Sequence, residues 1–177
     1  MLFRSLVIRL ADREGVAVPR THRGGKSKQI EGGYVHEVEA GLQPWVAVLD
    51  FKSMYPSIMI SNNVCYTTRI DERKRPDEVI PEGIHESPFG ASFLPATSRR
   101  GLVPQLLEHL MEQRDIHKRA LADAQEGGDG SAEMFHDQMQ FAVKILMNSF
   151  YGVFASNFYR FTHPQLGASI TAWARSN

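Results

Sequence analysis

Cysteine is almost missing: Cys65 is the only one among 177 residues. One thiol excludes an internal disulfide framework and a cysteine-rich zinc site, and such usage suits a reducing cytoplasm. Its neighbours Val64 and Tyr66 point to a packed thiol. Long apolar runs are missing as well; none approaches the ~20 residues of a membrane span, so no membrane partner is expected. The opening "MLFRSLVIRLADREG" has charges throughout and no small-residue cleavage site, so it does not read as a signal peptide. Net charge is absent, with 20 basic residues against 20 acidic ones, so any nucleic-acid reading must rest on local charge. There is no internal repeat. From Phe141 to Asn177 there is no Asp or Glu at all, which bears on the chemistry below.

What is present is an ordinary globular composition, 42% hydrophobic and 23% charged, long enough for one domain or for a piece of a larger one. The charge is uneven. Residues 1–29 hold Arg4, Arg9, Arg13, Arg20, Arg23, Lys26 and Lys28 against Asp12 and Glu14. Taken alone, that excess is more often a solvated helix face and loop than a binding patch. Within it, "GGKS" resembles the end of a phosphate-binding loop. The match fails, because Arg20 stands where the first glycine is required and no strand precedes it.

Periodicity gives the elements. Leu2 to Glu14 has a helical period, with Gly15 as its stop. Tyr34 to Glu39 and Trp45 to Phe51 read as two strands, the second nearly all apolar and so expected to be covered on both sides. Residues 71–88 are charged and proline-rich, a surface excursion. Val103 to Ala124 is a helix with Leu106, Leu107, Leu110 and Met111 on one face. Ala132 to about Ala155 is a second, with a stripe through Phe135, Met139, Ala142 and Leu146. The short link "QEGGDGS" makes the pair an antiparallel hairpin. A last helix begins near Pro164. The fold class is therefore α+β: a partial antiparallel sheet with a long antiparallel helical hairpin. The chain stops at Asn177 without a cap, which suggests a cut through a domain.

Chemistry concentrates in "VAVLDFKSMYPSIMISNNV", Val46 to Val64, where an apolar run ends in one carboxylate, Asp50, and a Lys-Ser-Met-Tyr-Pro-Ser turn follows. Arg114 and Lys118 are four apart on the first long helix; Lys144, Asn148 and Tyr151 share one side of the second. Three cations facing a carboxylate at a strand end would suit a metal-held polyphosphate. For Arg114 and Lys118, spacing alone favours plain pairing with Glu112, Asp115 and Asp123 on a wet surface. For Lys144 that alternative is weaker, because "FAVKILMNSFYGVFA" is mostly apolar and buried polar groups there need partners.

These residues carry a resemblance. "DFKSMYPSI", Asp50 to Ile58, resembles motif A of family B DNA polymerases, D-x-x-S-L-Y-P-S-I, and "KILMNSFYG", Lys144 to Gly152, resembles their motif B, K-x-x-x-N-S-x-Y-G. Between them, "GLVPQLLEHLMEQRDIHKR" looks like the first fingers helix, "EGGYVHEVEAGL" looks like the segment leading into the palm, and "NNVCYTT" has an archaeal character. The resemblance covers nearly all of the chain beyond about residue 29.

It implies template-directed DNA synthesis: attack of a primer 3′-hydroxyl on the α-phosphate of a dNTP, with two Mg²⁺ ions as cofactors in the complete site. Asp50 and the Phe51 carbonyl would be metal ligands, hard oxygens that Mg²⁺ prefers. Asp50 and Lys144 would be the catalytic residues. Ser53 and the Met54 backbone would lie against the triphosphate at a helix start, Arg114, Lys118 and Lys144 would hold its phosphates, Tyr55 would pack beneath the sugar, and Asn148 would support the nucleotide pocket. Tyr151 and Gly152 would flank the nascent base pair. The implied division is 1–33 basic helix and linker, 34–100 first part of the palm, 101–155 fingers, and 156–177 the start of the return into the palm.

The sequence departs from the family pattern in three places. Met54 replaces the usual leucine. Ile30 stands where many archaeal relatives carry a tyrosine before Glu-Gly-Gly. Motif C, Y-G-D-T-D, which supplies the second metal aspartate, does not occur, and neither thumb nor exonuclease carboxylates are present. The expected partners are primer-template DNA, dNTPs and a complementary fragment carrying motif C and the thumb; the isolated chain is expected to be inactive. The competing reading is a non-catalytic nucleotide- or DNA-binding polymerase remnant. A third, an unrelated helical interaction protein, leaves the Asp-to-Tyr turn unexplained.

Overall fold

The computed structural model of the chain describes residues 2–20, 32–33, 35–37, 40–71, 81–156 and 159–176. In order these form α1 (Leu2–Arg13), α2 (Met54–Ser61), β1 (His85–Glu86), β2 (Ser92–Phe93), α3 (Leu102–Gly127), α4 (Gly130–Ala155) and α5 (Pro164–Ser176). The α+β class holds: a small antiparallel sheet, with His85 opposite Phe93, accompanies the long helical hairpin. No helix among the described residues is long and apolar enough to cross a membrane.

Local chemistry sets the helix ends. Gly15, at φ 62°, turns the chain out of α1; its N–H donates to the Asp12 carbonyl at 3.2 Å and the Val16 N–H to that of Ala11 at 2.8 Å. Gly128 does the same for α3 at φ 69°, with the Asp129 N–H donating to the Ala124 carbonyl at 3.0 Å. A left-handed residue followed by these two backward bonds satisfies carbonyls the helix leaves over. Asp129 then caps α4 at once, its carboxylate accepting from the Ser131 and Ala132 N–H groups at 3.1 and 3.0 Å. The helices α3 and α4 are thus joined by two residues and must run antiparallel.

Only the base of the hairpin enters the core. There Leu107 and Leu110 of α3 and Met147, Phe150 and Phe154 of α4 pack with Val7, Met59, Phe93, Leu166 and Ile170. The expected α3 stripe is therefore met, with Leu106 and Met111 partly buried at its margin. The expected α4 stripe is not: Phe135 is 54% and Met139 37% exposed. The buried face of α4 lies nearer its C-terminal end, because only that end has other helices to pack against.

The two expected strands also differ. The described residues 35–37 and 40–51 form no strand, and Trp45 and Leu49 are 100% and 95% exposed. A central strand is stabilised by ladders on both sides and by cover on both faces; among the described residues none pairs with this segment. The sheet that does form lies in the 71–88 excursion and just after it. Residues 72–80 of that excursion, and Thr21 to Glu31 of the basic loop with Ile30, lie outside the described residues.

A buried post fixes the motif A helix to the base of the hairpin. Asn63, left-handed at φ 51° and fully buried, donates from its amide to the Leu94 and Arg99 carbonyls at 2.7 and 2.8 Å and accepts from the Gly101 N–H at 2.8 Å. A β-carbon on Gly101 would stand 2.7 Å from that of Cys65, so only glycine fits there. Cys65 is buried, as its neighbours suggested.

Candidate functional site

The site grows from the turn after Asp50. Ser53 is left-handed at φ 51° and ψ 51°, uncommon for a residue with a β-carbon, and immediately precedes α2. The Ser57 hydroxyl donates to the Lys52 carbonyl at 3.1 Å and the Ser57 N–H to that of Ser53 at 2.9 Å, holding the turn onto the helix. Met54, Tyr55 and Pro56 form the first turn of α2, with Pro56 at a position where its missing N–H is no loss.

Tyr55 faces α4. Its ring stacks on that of Tyr151 with centroids 4.5 Å apart and planes at 27°. Burial and the adjacent Tyr55 push the Tyr151 phenol up, and Arg175 partly offsets this. A β-carbon on Gly33 would come within 3.2 Å of the Tyr55 hydroxyl, and the Arg175 guanidinium donates to the Gly32 carbonyl at 2.8 Å. The Gly-Gly lead-in, the motif A turn, the motif B helix and the end of α5 therefore meet at this tyrosine pair. Motif spacing marks Tyr55 and Tyr151 but carries no information on their stacking, and Arg175 lies outside both motifs. A cation in the last turn of a helix was the available signal.

Lys52 is likewise unmarked by motif spacing. It reaches Asp115 on α3 at 3.2 Å, tying the turn to the hairpin; both side chains are well exposed, so the bridge contributes about 0–1 kcal/mol. This pairing alters the balance around Arg114. The alternative expected from spacing, Arg114 paired with Glu112, Asp115 or Asp123, is not found among the described residues; Arg114 Nε is buried with no hydrogen-bond partner. A buried guanidinium nitrogen left unpaired is costly, which marks the position as suited to an anion. Lys118 and Lys144 are exposed, as are Asn148 and Gly152, so the polar residues of the apolar α4 stretch point to solvent and need no internal partner.

Asp50 and Phe51 lie in the exposed segment before the turn. Among the described residues no group of three His, Cys, Asp or Glu converges as a metal site. The donors at this point are one free carboxylate and a backbone carbonyl, hard oxygens whose chemistry fits Mg²⁺ but whose number requires further ligands from elsewhere.

A sequence model described as DNA polymerase family B matches residues 2–177. The DNA polymerase delta catalytic subunit of Glycine max is 33% identical over 174 residues, covering 97% of this chain and 16% of the relative. That of Caenorhabditis elegans is 38% identical over 130 residues, covering 73% of this chain and 12% of its own. Among solved structures, the family B DNA polymerase of the hyperthermophilic archaeon Pyrobaculum calidifontis superposes with a TM-score of 0.75 at 30% identity, over 98% of this chain and 22% of that one. The chain thus spans less than a quarter of the length of these relatives.

Proposed function

The chain belongs to DNA polymerase family B, and from that premise we propose that it supplies the dNTP-binding half of a DNA-directed DNA polymerase site. On this reading residues 34–100 begin the palm, 101–155 are the fingers, 1–33 lead in, and 156–177 start the return. The observation that carries it is the meeting of the two motifs at the Tyr55–Tyr151 stack; on α3, Arg114 separately keeps a buried guanidinium nitrogen without a partner.

The roles follow from the chemistry of each group. Arg114, Lys118 and Lys144 bind the triphosphate as charge-assisted donors and offset the charge that develops on the leaving pyrophosphate. Ser53 and the Met54 N–H stand at the start of α2, where free backbone donors favour an anion. The Tyr55 ring closes the space beneath the sugar and excludes a 2′-hydroxyl. Asn148 supports the nucleotide pocket, and Tyr151 with Gly152 borders the nascent base pair. Asp50 and the Phe51 carbonyl would hold Mg²⁺, which supplies charge stabilisation at the attacking and leaving oxygens. Primer-template DNA and dNTPs are the substrates, and the cytoplasm is the proposed location.

Completion of the site requires a second carboxylate and a surface that orients the primer, which we assign to a complementary fragment carrying motif C and the thumb. The competing reading, a binding-only remnant, is favoured by one observation: Asp50 belongs to no group of three metal-binding side chains among the described residues. Primer extension separates the two. The purified chain with dNTPs and Mg²⁺ is expected to be inactive. Adding the motif C–thumb fragment from the same source should give extension that Asp50→Ala abolishes. Robust extension by the chain alone contradicts the proposed site, and dNTP binding without extension in the mixture supports the remnant.

A further inference from the structure

Beyond the nucleotide site, the hairpin carries an unassigned pair of imidazoles. His117 on α3 and His136 on α4 face each other with Nδ1 atoms 3.0 Å apart, both partly buried. The Phe135 ring stands edge-on to both, at centroid distances of 6.2 Å from His117 and 5.1 Å from His136. Two neutral imidazoles at this separation can share one proton, the donor being an Nδ1–H tautomer and the acceptor an Nε2–H tautomer. The same separation also suits a shared metal ion. With metal–nitrogen bonds of about 2.0–2.1 Å, two nitrogens 3.0 Å apart subtend roughly 95° at the ion. That lies between the right angle of square-planar or octahedral coordination and the tetrahedral angle, so the nitrogens need not separate, and each ring turns to aim its lone pair at the ion.

We propose that His117 and His136 form a two-imidazole site for a borderline divalent transition-metal ion, typified by Ni²⁺ or Cu²⁺, that staples α3 to α4 of the fingers hairpin. Imidazole nitrogen selects these ions over Mg²⁺, which prefers hard oxygen. Binding requires both Nδ1 atoms to be unprotonated; the donor ring changes tautomer through solvent, its proton passing to Nε2, and no net proton is released from the neutral pair. No group of three His, Cys, Asp or Glu forms among the described residues, so water completes the coordination and the affinity falls in the micromolar range rather than that of closed structural sites. The site lies one helical turn beyond Arg114 on α3, so a bound ion would stiffen the hairpin next to the phosphate-binding cations.

The test uses the full chain, freed of chelators and affinity tags. Calorimetric titration with NiCl₂ should show one saturable site that excess Mg²⁺ does not displace. The electron paramagnetic resonance spectrum of one equivalent of Cu²⁺ should show hyperfine structure from two nitrogens, a direct reading that needs no variant. His117→Gln and His136→Gln should each weaken Ni²⁺ binding at least tenfold, whereas His109→Gln, an exposed histidine on the same helix, should not. Nickel should raise the melting temperature of the parent and not that of the double variant, since only the folded hairpin brings the rings together. Absence of saturable binding, binding as tight as the parent's in either single variant, or a copper spectrum without nitrogen coupling would each overturn the proposal.

Discussion

Tyr55 and Tyr151 stack face to face at 4.5 Å, and this one contact joins the turn after Asp50 to the helix that carries Lys144 and Asn148. Such a pair contributes about 0.5–1.5 kcal/mol beyond its buried area. The ring of Tyr55 is thereby fixed rather than free to swing, as a group that excludes a 2′-hydroxyl must be. In the assembled enzyme Tyr55→Ala should admit ribonucleotides while dNTP use largely survives, because no metal donor is lost. Tyr55→Phe keeps the ring and the stack and should keep the selectivity. The ratio of kcat/KM for dNTP and rNTP reads this directly. Unchanged selectivity in Tyr55→Ala would leave the ring a packing role alone.

Lys144→Ala should weaken dNTP use far more than primer-template binding, by roughly 1.5–3 kcal/mol, about ten- to a hundredfold. Arg114→Lys should be nearly as damaging as Arg114→Ala, because an ammonium cannot replace the planar fork. Steady-state dNTP kinetics beside DNA affinity make the comparison. A loss confined to DNA affinity would remove these cations from the triphosphate.

The helices were legible because their signals are local. Gly15 ends α1 and Pro164 opens α5 where the sequence indicated, and the break between α3 and α4 falls inside the expected link but is shorter, Gly128 and Asp129 alone. The candidate residues were legible through motif spacing. What escaped was set by distant partners. The apolar run Trp45 to Phe51 reads as a strand, but a strand exists only with neighbours, and no described residue provides them. The stripe through Phe135 and Met139 has a helical period, yet both side chains stand exposed. Lys52 against Asp115 and Arg175 against Gly32 join residues 63 and 143 positions apart, separations on which periodicity carries no information.

Asn63 and Gly101 should be stability positions rather than catalytic ones. Asn63→Ala strands the buried Gly101 N–H and removes donors from two carbonyls, so a loss of at least about 2 kcal/mol is expected. Gly101→Ala places a methyl against the Cys65 β-carbon, with an overpacking cost of about 1–3 kcal/mol. Urea midpoints of the purified chain would measure both. Stability equal to the parent in Asn63→Ala would mean that the post bears no weight.

Tyr66 should make the fold sensitive to alkali. Burial pushes its phenol up from 10.0 to about 12, with Cys65 adding to the rise and Arg99 opposing it. A phenol is neutral when protonated, so the folded state keeps a proton that the unfolded chain releases near pH 10. The contribution is therefore fully present below pH 10 and is lost as pH rises from 10 to about 12. The hydroxyl is also buried without a hydrogen-bond partner, while the ring lies 5.4 Å from that of Phe161. Tyr66→Phe keeps the ring contact and removes only the orphaned group. Near neutral pH it should be neutral or stabilising by up to about 1 kcal/mol. Between pH 10 and 12 it should lose stability less steeply than the parent, and the difference between the two curves isolates this phenol from every other alkaline effect. Denaturant midpoints at neutral pH and through that window give the measurement. Parallel curves for parent and variant would show that Tyr66 ionises no differently in the folded chain, and a marked loss at neutral pH would show that its hydroxyl has a partner after all.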